Sequence, residues 1–583
     1  MHELNMIKKP WREDHLRIAL VYPNIYSSMA GLTIQTLYAL WNKFPNVICE
    51  RFFMPSNKEI KTFKSKNLPP NFVSNTNPAR FYPAIRSMEN QMPLKKFDII
   101  AFSINYELDF PNLVWILDNS HIPFLRNDRM SKKIHGENEI INEEEEIFPI
   151  ILAGGPVIRS NPLPLEPFID AAFIGEIEPV NDVMINSWFN SINSNSLHTY
   201  AQIKRNFLKT LQNTPGFWIP QIYNFTDYGD IERVYVKNLD EFPHPIRQII
   251  PKVKPHEKYP LPFGESFYAE INRGCPHFCR FCMTGSQLKP FRNRSLENLK
   301  EIIISGIKNS SVNKVVLIGS SVTDHPKFRE LCKFLIDQKV EFSIPSIRIE
   351  TLSEELASLI AKSGMRTVAF APETGTDRLR LKINKKISNE EILKGAQLLL
   401  EAGIPNVKLY ILYGLPFETK EDIDAIPKLV KEIAALGFGK QGVRLSINPF
   451  IPKAHTPFES YIDNFSDANL IILKEKLKKI YDPLKGDKQI KFETLPVEEA
   501  YIQTLLSLGG TEMSELILKY YQTGREIKKW YRITRREHLG ENEYIIKFFE
   551  DMKGNSFGQH PWNFISQKLS YKILEKEWDK TRK

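Results

Sequence analysis

The strongest constraint on the fold is a regular alternation of apolar strands and amphipathic helices over residues 266–450. Each predicted strand is a short apolar run, which is typical of parallel strands that are buried on both faces. These strands are SFYAEINRG (266–274), KVVLIGSS (314–321), EFSIPSIRI (341–349), TVAFAPE (367–373), NVKLYILYG (406–414) and GVRLSINPF (442–450). Six parallel βα units with right-handed crossovers are expected to curl into a partial (β/α)6 barrel, whose active site lies at the carboxyl ends of the strands.

The first part of the chain shows the same alternation and predicts a doubly wound α/β domain over residues 1–195. Its predicted strands are LRIALVYPN (16–24), FDIIAFSIN (97–105), PIILAGGP (149–156) and DAAFIGE (170–176). Such sheets bind ligands beyond the carboxyl ends of their strands, so the loops Tyr22–Gly31 and Gly154–Ser160 form the predicted ligand edge. Gly154 and Gly155 serve either a ligand there or only a tight turn.

A proline-rich stretch separates the two predicted domains. Six prolines fall between Pro243 and Pro262, a density that excludes regular helix and central strand. We assign residues 196–262 to a connector, in which GFWIPQIYNF and ERVYVKN are expected to form a small hairpin. The partial barrel is then expected over 263–480, and a mainly helical, basic C-terminal domain over 481–583.

Composition excludes several classes of protein. No apolar run approaches the roughly 18–20 residues that a membrane span needs, so no membrane association is expected. The first residues, MHELNMIKKPWRED, lack the apolar segment of a secretory signal, which predicts a cytoplasmic protein. Five cysteines in 583 residues also argue against a disulfide framework.

Three of the five cysteines, Cys275, Cys279 and Cys282, lie within eight residues, directly after the first predicted barrel strand. The spacing C-x3-C-x2-C lets one loop present three thiolates to a [4Fe–4S] cluster, which usually takes four. No fourth cysteine lies nearby, so one iron would stay open to another ligand. Two alternatives remain: a zinc site with His277 as fourth ligand, and a cluster used only for electron transfer.

The strand-borne motif, preceded by Arg273-Gly274, resembles that of the radical S-adenosylmethionine (SAM) superfamily. The resemblance extends over roughly residues 255–480 and includes APETGTDRLR (371–380), NVKLYILYGLPFET (406–419) and NPFIPKAHTPFE (448–459). It implies that SAM binds the open iron and is cleaved reductively to a 5′-deoxyadenosyl radical. It also implies an electron donor of the ferredoxin or flavodoxin type.

The same resemblance implies a set of SAM-binding residues. They are Phe281 against the cluster and adenine, Ser346 and Arg348 at the methionine carboxylate, Glu373 at the ribose or amino group, and the backbone from Tyr410 to Gly414 beside adenine. The Gly-Gly-Glu that the family carries after strand two reads Gly319, Ser320 and Ser321 here, so hydroxyls or carbonyls would replace that contact to the amino group. The alternative for each residue is an ordinary position at a strand end.

The N-terminal domain resembles the cobalamin-binding-like domain of one subgroup of this superfamily. The resemblance lies in ILAGGPVIRSNPLPLEP (151–167) and DAAFIGEIEPV (170–180). The D-x-H-x-x-G motif of many cobalamin proteins is replaced by PNIYSSMAG, which has no histidine. Either cobalamin binds without a lower ligand from this loop, or the pocket serves another purpose.

Positive charge is concentrated at the C-terminal end. From Lys519 onward there are 15 Lys and Arg against 9 Asp and Glu. The segment GREIKKWYRITRRE (524–537) combines six of these cations with Trp530 and Tyr531, which predicts either an RNA-binding surface or a solvated helix face. Three functions follow: a radical SAM enzyme, with methyl transfer as one outcome; a methylthiotransferase-like radical SAM enzyme acting on tRNA or rRNA; and a non-catalytic Fe–S or zinc interaction protein.

Overall fold

A computed structural model describes residues 2–26, 31–56, 60, 85–130, 148–193, 199–220, 230–252, 262–465, 467–523, 527–534, 543–567 and 569–582. Two parallel sheet regions are followed by a largely helical C-terminal part, so the predicted fold class is confirmed. Within these ranges no helix is both long and apolar enough to cross a membrane.

The N-terminal sheet has six strands, of which the first five in spatial order are parallel and the last is antiparallel. Their spatial order is Val47–Phe53, Leu16–Tyr22, Ile99–Ser103, Ile150–Gly154, Ala171–Phe173 and Phe217–Trp218. Helices cover the sheet at Leu32–Asn42, Phe110–Asp118, Arg126–Met130, Pro156–Ser160, Asn181–Asn193 and Tyr200–Gln212. All four predicted strands of this domain form.

The strand Val47–Phe53 was not predicted, because charged residues occupy its middle. Arg51 is fully buried, and its guanidinium lies 2.6 Å from Glu3 and 2.7 Å from Glu89. These partners come from distant parts of the chain and satisfy a charge that would otherwise be costly to bury. The strand is therefore stabilised by tertiary ion pairs that no local pattern encodes.

The order of the strands defines where this domain could bind a ligand. Leu16–Tyr22 lies between Val47–Phe53 and Ile99–Ser103, so the chain turns in opposite directions after Leu16–Tyr22 and Ile99–Ser103. The loop Tyr22–Gly31 therefore borders the crevice, although its residues 27–30 lie outside the described ranges. The second predicted loop, Gly154–Ser160, follows the next strand of the sheet, Ile150–Gly154. The second border of the crevice is therefore the loop after Ser103.

The expected hairpin of the connector is wrong. Phe217–Trp218 pairs antiparallel with Ala171–Phe173, so the N-terminal sheet includes residues beyond the predicted boundary at 195. Ile231–Glu232 instead pairs with Ile565–Ser566 of the C-terminal part.

The second region contains two parallel sheets that follow each other around a partial barrel. Their strands are Phe267–Glu270, Lys314–Ile318 and Glu341–Ser343 in the first, and Thr367–Glu373, Asn406–Tyr413, Val443–Pro449 and Ile490–Thr494 in the second. The amide of Ile347 donates to the carbonyl of Ala369 at 2.9 Å and bridges the two sheets. All six predicted strands form, and Ile490–Thr494 adds a seventh from a region that was predicted to be helical.

Helices surround this barrel and continue into the C-terminal part. Those of the barrel are Met283–Gln287, Leu296–Ser310, Phe328–Asp337, Glu354–Lys362, Asp377–Lys382, Asn389–Glu401, Lys420–Ala435 and Asp467–Tyr481. Those of the C-terminal part are Val497–Leu508, Met513–Gln522, Ile527–Ile533, Glu543–Gly554 and Tyr571–Arg582. Along Asn406–Tyr413 alternate side chains are buried in the hydrophobic core, and the others, Lys408 and Tyr410 among them, lie on the less buried inner face.

Candidate active site

The three clustered cysteines lie on a tight loop at the carboxyl end of the first barrel strand. Gly274 enters the loop with φ of 84°, and a Cβ there would lie 2.2 Å from the carbonyl oxygen of Leu288. Only glycine fits this position. The amide of Cys282 donates to the carbonyl of Cys279 at 3.0 Å, and Cys282 precedes the helix Met283–Gln287.

The segment that follows the fourth barrel strand fixes the backbone of this loop. The amide of Arg280 donates to the carbonyl of Ile383 at 3.0 Å. The side chain of Asn384 donates to the carbonyl of Phe278 at 2.6 Å, and the Arg280 guanidinium donates to that of Lys382 at 2.5 Å. The two loops therefore form one rigid rim at the mouth of the barrel.

The electrostatics of the loop couple the three thiols to nearby cations. Burial raises the pKa of Cys279 to about 12, while the positive charge of Lys385 opposes this shift. Burial also raises the pKa of Cys275. The negative charge of the Cys282 thiolate raises the pKa values of both Cys275 and Cys279 further. Bound iron holds such sulfurs as thiolates, so the cations suit a metal-bound state.

The surroundings of the loop favour a cluster over zinc. His277 places Nε2 2.9 Å from Oδ2 of Asp324, so its ring is engaged by a carboxylate. Across the described ranges, no three His, Cys, Asp or Glu side chains are arranged to hold a single metal ion. Cys49 and Cys332 are buried elsewhere. Three thiols on one loop without a fourth protein ligand fit a [4Fe–4S] cluster with one open iron.

The segment Gly319, Ser320 and Ser321 lies beside the cysteine loop. A Cβ on Gly319 would lie 2.2 Å from Oδ1 of Asn272, and the Asn272 amide donates to the carbonyl of Ser321 at 2.8 Å. The hydroxyl of Ser321 donates to Asp324. A side-chain hydrogen bond between Ser321 and Cys275 lowers the pKa of Cys275, against the larger effect of burial. Ser320 is exposed.

Glu373 ends the fourth barrel strand in an unusual backbone conformation. Its φ is 65°, and the strand register shifts between Phe370 and Glu373. A left-handed non-glycine residue costs about 1–3 kcal/mol, and such strain often accompanies a functional position. Lys385 Nζ lies 3.2 Å from Oε1 of Glu373, and the charges of both residues reach Cys279.

Arg348 offers an unused donor next to the cysteines. Its amide donates to the hydroxyl of Thr323 at 3.3 Å, and its guanidinium pairs with Glu350. The Nε atom of Arg348 is buried and finds no acceptor. The charge of Arg348 lowers the pKa of Cys275 and of Cys279, against the effect of burial. This arrangement fits a carboxylate ligand. Ser346, two residues earlier, is exposed.

The three remaining predicted residues have different surroundings. Phe281 packs against an apolar cluster formed by Leu379, Ile383, Leu415, Phe450 and Phe458. Tyr410 is 36% exposed, with Nζ of Lys408 5.2 Å from its ring centre. The amide of Gly414 donates to both carboxylate oxygens of Glu418, at 3.0 and 2.9 Å, and its carbonyl accepts from Asn464. The polar backbone groups of Gly414 are thus engaged within the protein.

Sequence reasoning missed several residues that the fold brings to this site. Lys385 follows Glu373 by 12 positions and could have been noticed in the segment after strand four. Asp324 lies three positions after Ser321. Glu577 binds Arg280 across 297 positions, so no local signal could have revealed it.

The adjacent glycines Gly154 and Gly155 of the N-terminal domain differ in the space that surrounds them. Gly155 has φ of 120°, and a Cβ there would lie 2.2 Å from the carbonyl oxygen of Ile104, so the fold itself requires glycine. A Cβ on Gly154 or on Gly31 would meet no atom of the described residues within 4 Å. At these two positions the described part of the fold therefore does not itself require glycine for space.

The aromatic residues of the basic C-terminal segment belong to the core of that part. Trp530 is fully buried, stacks on Tyr520 at 3.9 Å and donates to the carbonyl of Leu516 at 3.1 Å. Tyr531 packs edge-on against Tyr501 at 5.8 Å. Trp530 cannot stack on bases without unfolding this packing. Residues 524–526 and 535–537 of the segment lie outside the described ranges.

Comparisons with known proteins agree with this geometry. Residues 33–220 match a family model described as radical SAM proteins, N-terminal, and residues 269–430 match that of the radical SAM superfamily. An uncharacterized protein of Methanocaldococcus jannaschii is 32% identical over 438 residues, which cover 74% of this chain and 82% of that protein. An uncharacterized methyltransferase of Pyrococcus horikoshii is 26% identical over 204 residues, 34% of this chain and 43% of that protein.

A solved structure resembles the whole fold. The radical SAM methyltransferase TsrM from Kitasatospora setae, with cobalamin and a [4Fe-4S] cluster bound, covers 92% of this chain and is itself covered to 99%. The TM-score is 0.51 at 11% sequence identity, a level at which the likeness concerns the fold alone.

Proposed function

Because the chain belongs to the radical SAM superfamily, we propose that it is a cobalamin-dependent methyltransferase that cleaves SAM reductively. The observation that carries the first part is the set of three thiols on one loop, on Cys275, Cys279 and Cys282, while the two other cysteines, Cys49 and Cys332, are buried outside it. When bound, the cluster supplies the electron that breaks a carbon–sulfur bond of SAM. As in every member of the superfamily, that electron must come from a donor, which we propose is a ferredoxin or flavodoxin.

The residues around the loop then have distinct roles in holding SAM. Arg348 binds the methionine carboxylate through the Nε that has no acceptor within the protein. Glu373 binds the ribose or the amino group, and Lys385 fixes the position of its carboxylate. Ser321, with Gly319 and Ser320, lies where the family binds the amino group. Phe281 shields the cluster from solvent, because it packs into the apolar cluster of the barrel mouth.

Two observations support a cobalamin site in the N-terminal domain. The sheet has the order of a ligand-binding doubly wound domain, and a Cβ at Gly31 or Gly154 on its carboxyl edge would meet no atom of the described residues within 4 Å. Bound cobalamin supplies a carrier for a methyl group. The loop Tyr22–Gly31 contains no histidine, so it offers no imidazole as a lower ligand.

The first test is SAM cleavage by the anaerobically reconstituted full-length protein. With SAM and dithionite, the wild type should release 5′-deoxyadenosine, and the Cys275→Ala/Cys279→Ala/Cys282→Ala variant should not. The Cys332→Ala variant, altered in a buried cysteine far from the loop, should keep the wild-type iron content. A wild type that binds iron but never cleaves SAM would contradict the proposal.

Methyl transfer and the zinc alternative have separate tests. Methyl donation by SAM leaves S-adenosylhomocysteine, whose formation should require added cobalamin; formation independent of cobalamin would contradict the second half of the proposal. The His277→Ala variant should retain iron, because the ring of His277 already binds Asp324. Loss of the metal in that variant would favour the zinc site.

A further inference from the structure

Four arginines gather where the N-terminal domain meets the cysteine loop, and two of them are fully paired with acids. The guanidinium of Arg273 lies 2.9 Å from Glu176, 2.9 Å from Glu178 and 2.8 Å from Glu270. Arg292 lies 2.9 Å from Glu176. These acids are thus already engaged, and the Arg273 and Arg292 charges hold the pKa of Glu176 at about 2 despite its burial.

Among the described residues the other two arginines, Arg159 and Arg233, form no ion pair with a carboxylate. The carboxylate whose charge acts on them is that of Glu176, already engaged by Arg273 and Arg292. Arg233 is 2% exposed; its Nη2 donates to the carbonyl of Lys289, but its Nε and Nη1 find no acceptor. The Nε of Arg159 is likewise buried without an acceptor. Tyr235 lies between two of these cations, with its ring centre 5.4 Å from Arg233 and 5.5 Å from Arg292.

Such an arrangement is unfavourable for the protein alone. A buried guanidinium with unused donors loses its hydration without compensation, and arginine does not escape by losing its proton. Burial, together with the repulsion from Arg233, lowers the pKa of Arg159 to about 10. The missing element is a negative charge with several acceptor oxygens.

We propose that Arg159 and Arg233 form a binding site for an oxyanion, a phosphate or carboxylate group on a ligand that lies between the two domains. Arg159 belongs to the short helix Pro156–Ser160, which follows the strand Ile150–Gly154 at the carboxyl edge of the N-terminal sheet. Arg233 binds Lys289, which follows the helix that begins after the last clustered cysteine. Guanidinium groups match such anions with paired hydrogen bonds. The anion is either the phosphodiester of cobalamin or a charged group of the substrate.

The site can be tested with inorganic phosphate, without SAM or reductant, so that its failure is independent of the proposed reaction. Calorimetric titration of the full-length protein at constant ionic strength should show one phosphate site. Arg233→Gln and Arg159→Gln should each weaken it by about tenfold or more, the loss of a charged hydrogen bond. Arg366→Gln, at an exposed arginine at the opposite end of the barrel, should leave it unchanged.

A thermal measurement guards against a merely structural effect. In phosphate-free buffer, Arg233→Gln should change Tm little, because it removes a buried charge without an ion pair along with one hydrogen bond to Lys289, whereas a structural role would lower Tm clearly with and without phosphate. If Arg233→Gln fails to fold, Arg159→Gln carries the test. Absence of phosphate binding beyond that of chloride, or its retention in the folded variants, would overturn the proposal.

The source of the anion follows from comparing cobalamin with cobinamide, which lacks the nucleotide phosphodiester. If Arg233→Gln weakens cobalamin but not cobinamide, the site serves the cofactor. If both bind the variant as they bind the wild type, or neither binds the wild type, the phosphate site belongs to the substrate.

Discussion

Arg280, next to Cys279 on the cysteine loop, donates from Nε and Nη2 to the same oxygen of Glu577, at 3.1 and 3.0 Å. Glu577 belongs to the C-terminal helix Tyr571–Arg582, so this ion pair holds that helix against the cysteine loop. Trp578 on this helix packs 5.6 Å from Phe417 and 5.7 Å from Phe458. The helix therefore covers one side of the candidate active site.

The Glu577→Ala variant should make the cluster more sensitive to air. It leaves Arg280 unpaired in a site where that side chain is 8% exposed, which should cost about 1–3 kcal/mol of stability. We expect the visible absorption of the reconstituted cluster to bleach faster in air at an unchanged initial iron content. Glu575→Ala, at an exposed position of the same helix, is the control, and equal bleaching of all three proteins would refute the covering role.

The Glu373→Gln variant should bind SAM about 10- to 100-fold more weakly, because a charged hydrogen bond to the ligand is worth roughly 1.5–3 kcal/mol. Lys385→Met should have a similar effect, since it releases the carboxylate that Lys385 holds. Equilibrium dialysis of the reconstituted proteins measures both affinities. Glu390→Gln, at an exposed glutamate, should behave as the wild type. A wild-type affinity in Glu373→Gln would remove this residue from the site.

The adjacent glycines Gly154 and Gly155 should respond in opposite ways to alanine. Gly155→Ala should lower the free energy of unfolding by about 1–3 kcal/mol or more, through its positive φ and the approach to Ile104. Gly154→Ala should leave Tm unchanged, because its Cβ meets no protein atom within 4 Å. If cobalamin occupies that space, Gly154→Ala should nevertheless reduce the cobalamin retained on purification. Unchanged retention would separate Gly154 from the cofactor.

Glu459 should make stability depend on pH between neutrality and pH 8. Burial raises its pKa to about 8, although it accepts hydrogen bonds from the His455 amide at 2.7 Å and Trp562 at 3.2 Å. A folded pKa above the unfolded 4.5 means that this stabilisation is complete below about pH 4.5 and is lost as pH rises to about 8. The wild type should therefore lose stability relative to Glu459→Gln between pH 6.5 and 8.

Thermal unfolding of both proteins over that pH range measures the difference. Burial lowers the pKa values of His455 and His560 to about 3 and about 4, and these histidines are present in both proteins, so their contribution to the pH dependence cancels in the difference. A difference in Tm that is constant with pH would show that Glu459 is ionised in the folded protein.

Most of the strands could be read from the sequence, because a parallel strand buried on both faces is a continuous apolar run. The strand Val47–Phe53 was not predicted, since its buried Arg51 is paired with acids only in the folded chain. The strand Ile490–Thr494 was not predicted, because its residues are half-buried or exposed and form no apolar run.

Some residues of the candidate site could likewise be predicted from the sequence, and others could not. Its thiols are recognisable because chelation by one loop needs close spacing along the chain, and Glu373 and Arg348 were predicted from the resemblance to a family. The sequence did not indicate the roles of Lys385, Asp324 and Glu577, because each of these residues acts through a partner that folding brings close to it.

The sequence by itself determined the parallel α/β architecture and the three-thiol loop after the first barrel strand, since both depend on local periodicity and spacing. Only the tertiary structure decided that Glu577 binds Arg280 of that loop, that Trp530 is buried, and that Arg159 and Arg233 come together without an ion pair to either. These relationships join residues far apart in the chain, and their energies arise from burial and charge pairing that exist only after the domains have packed together.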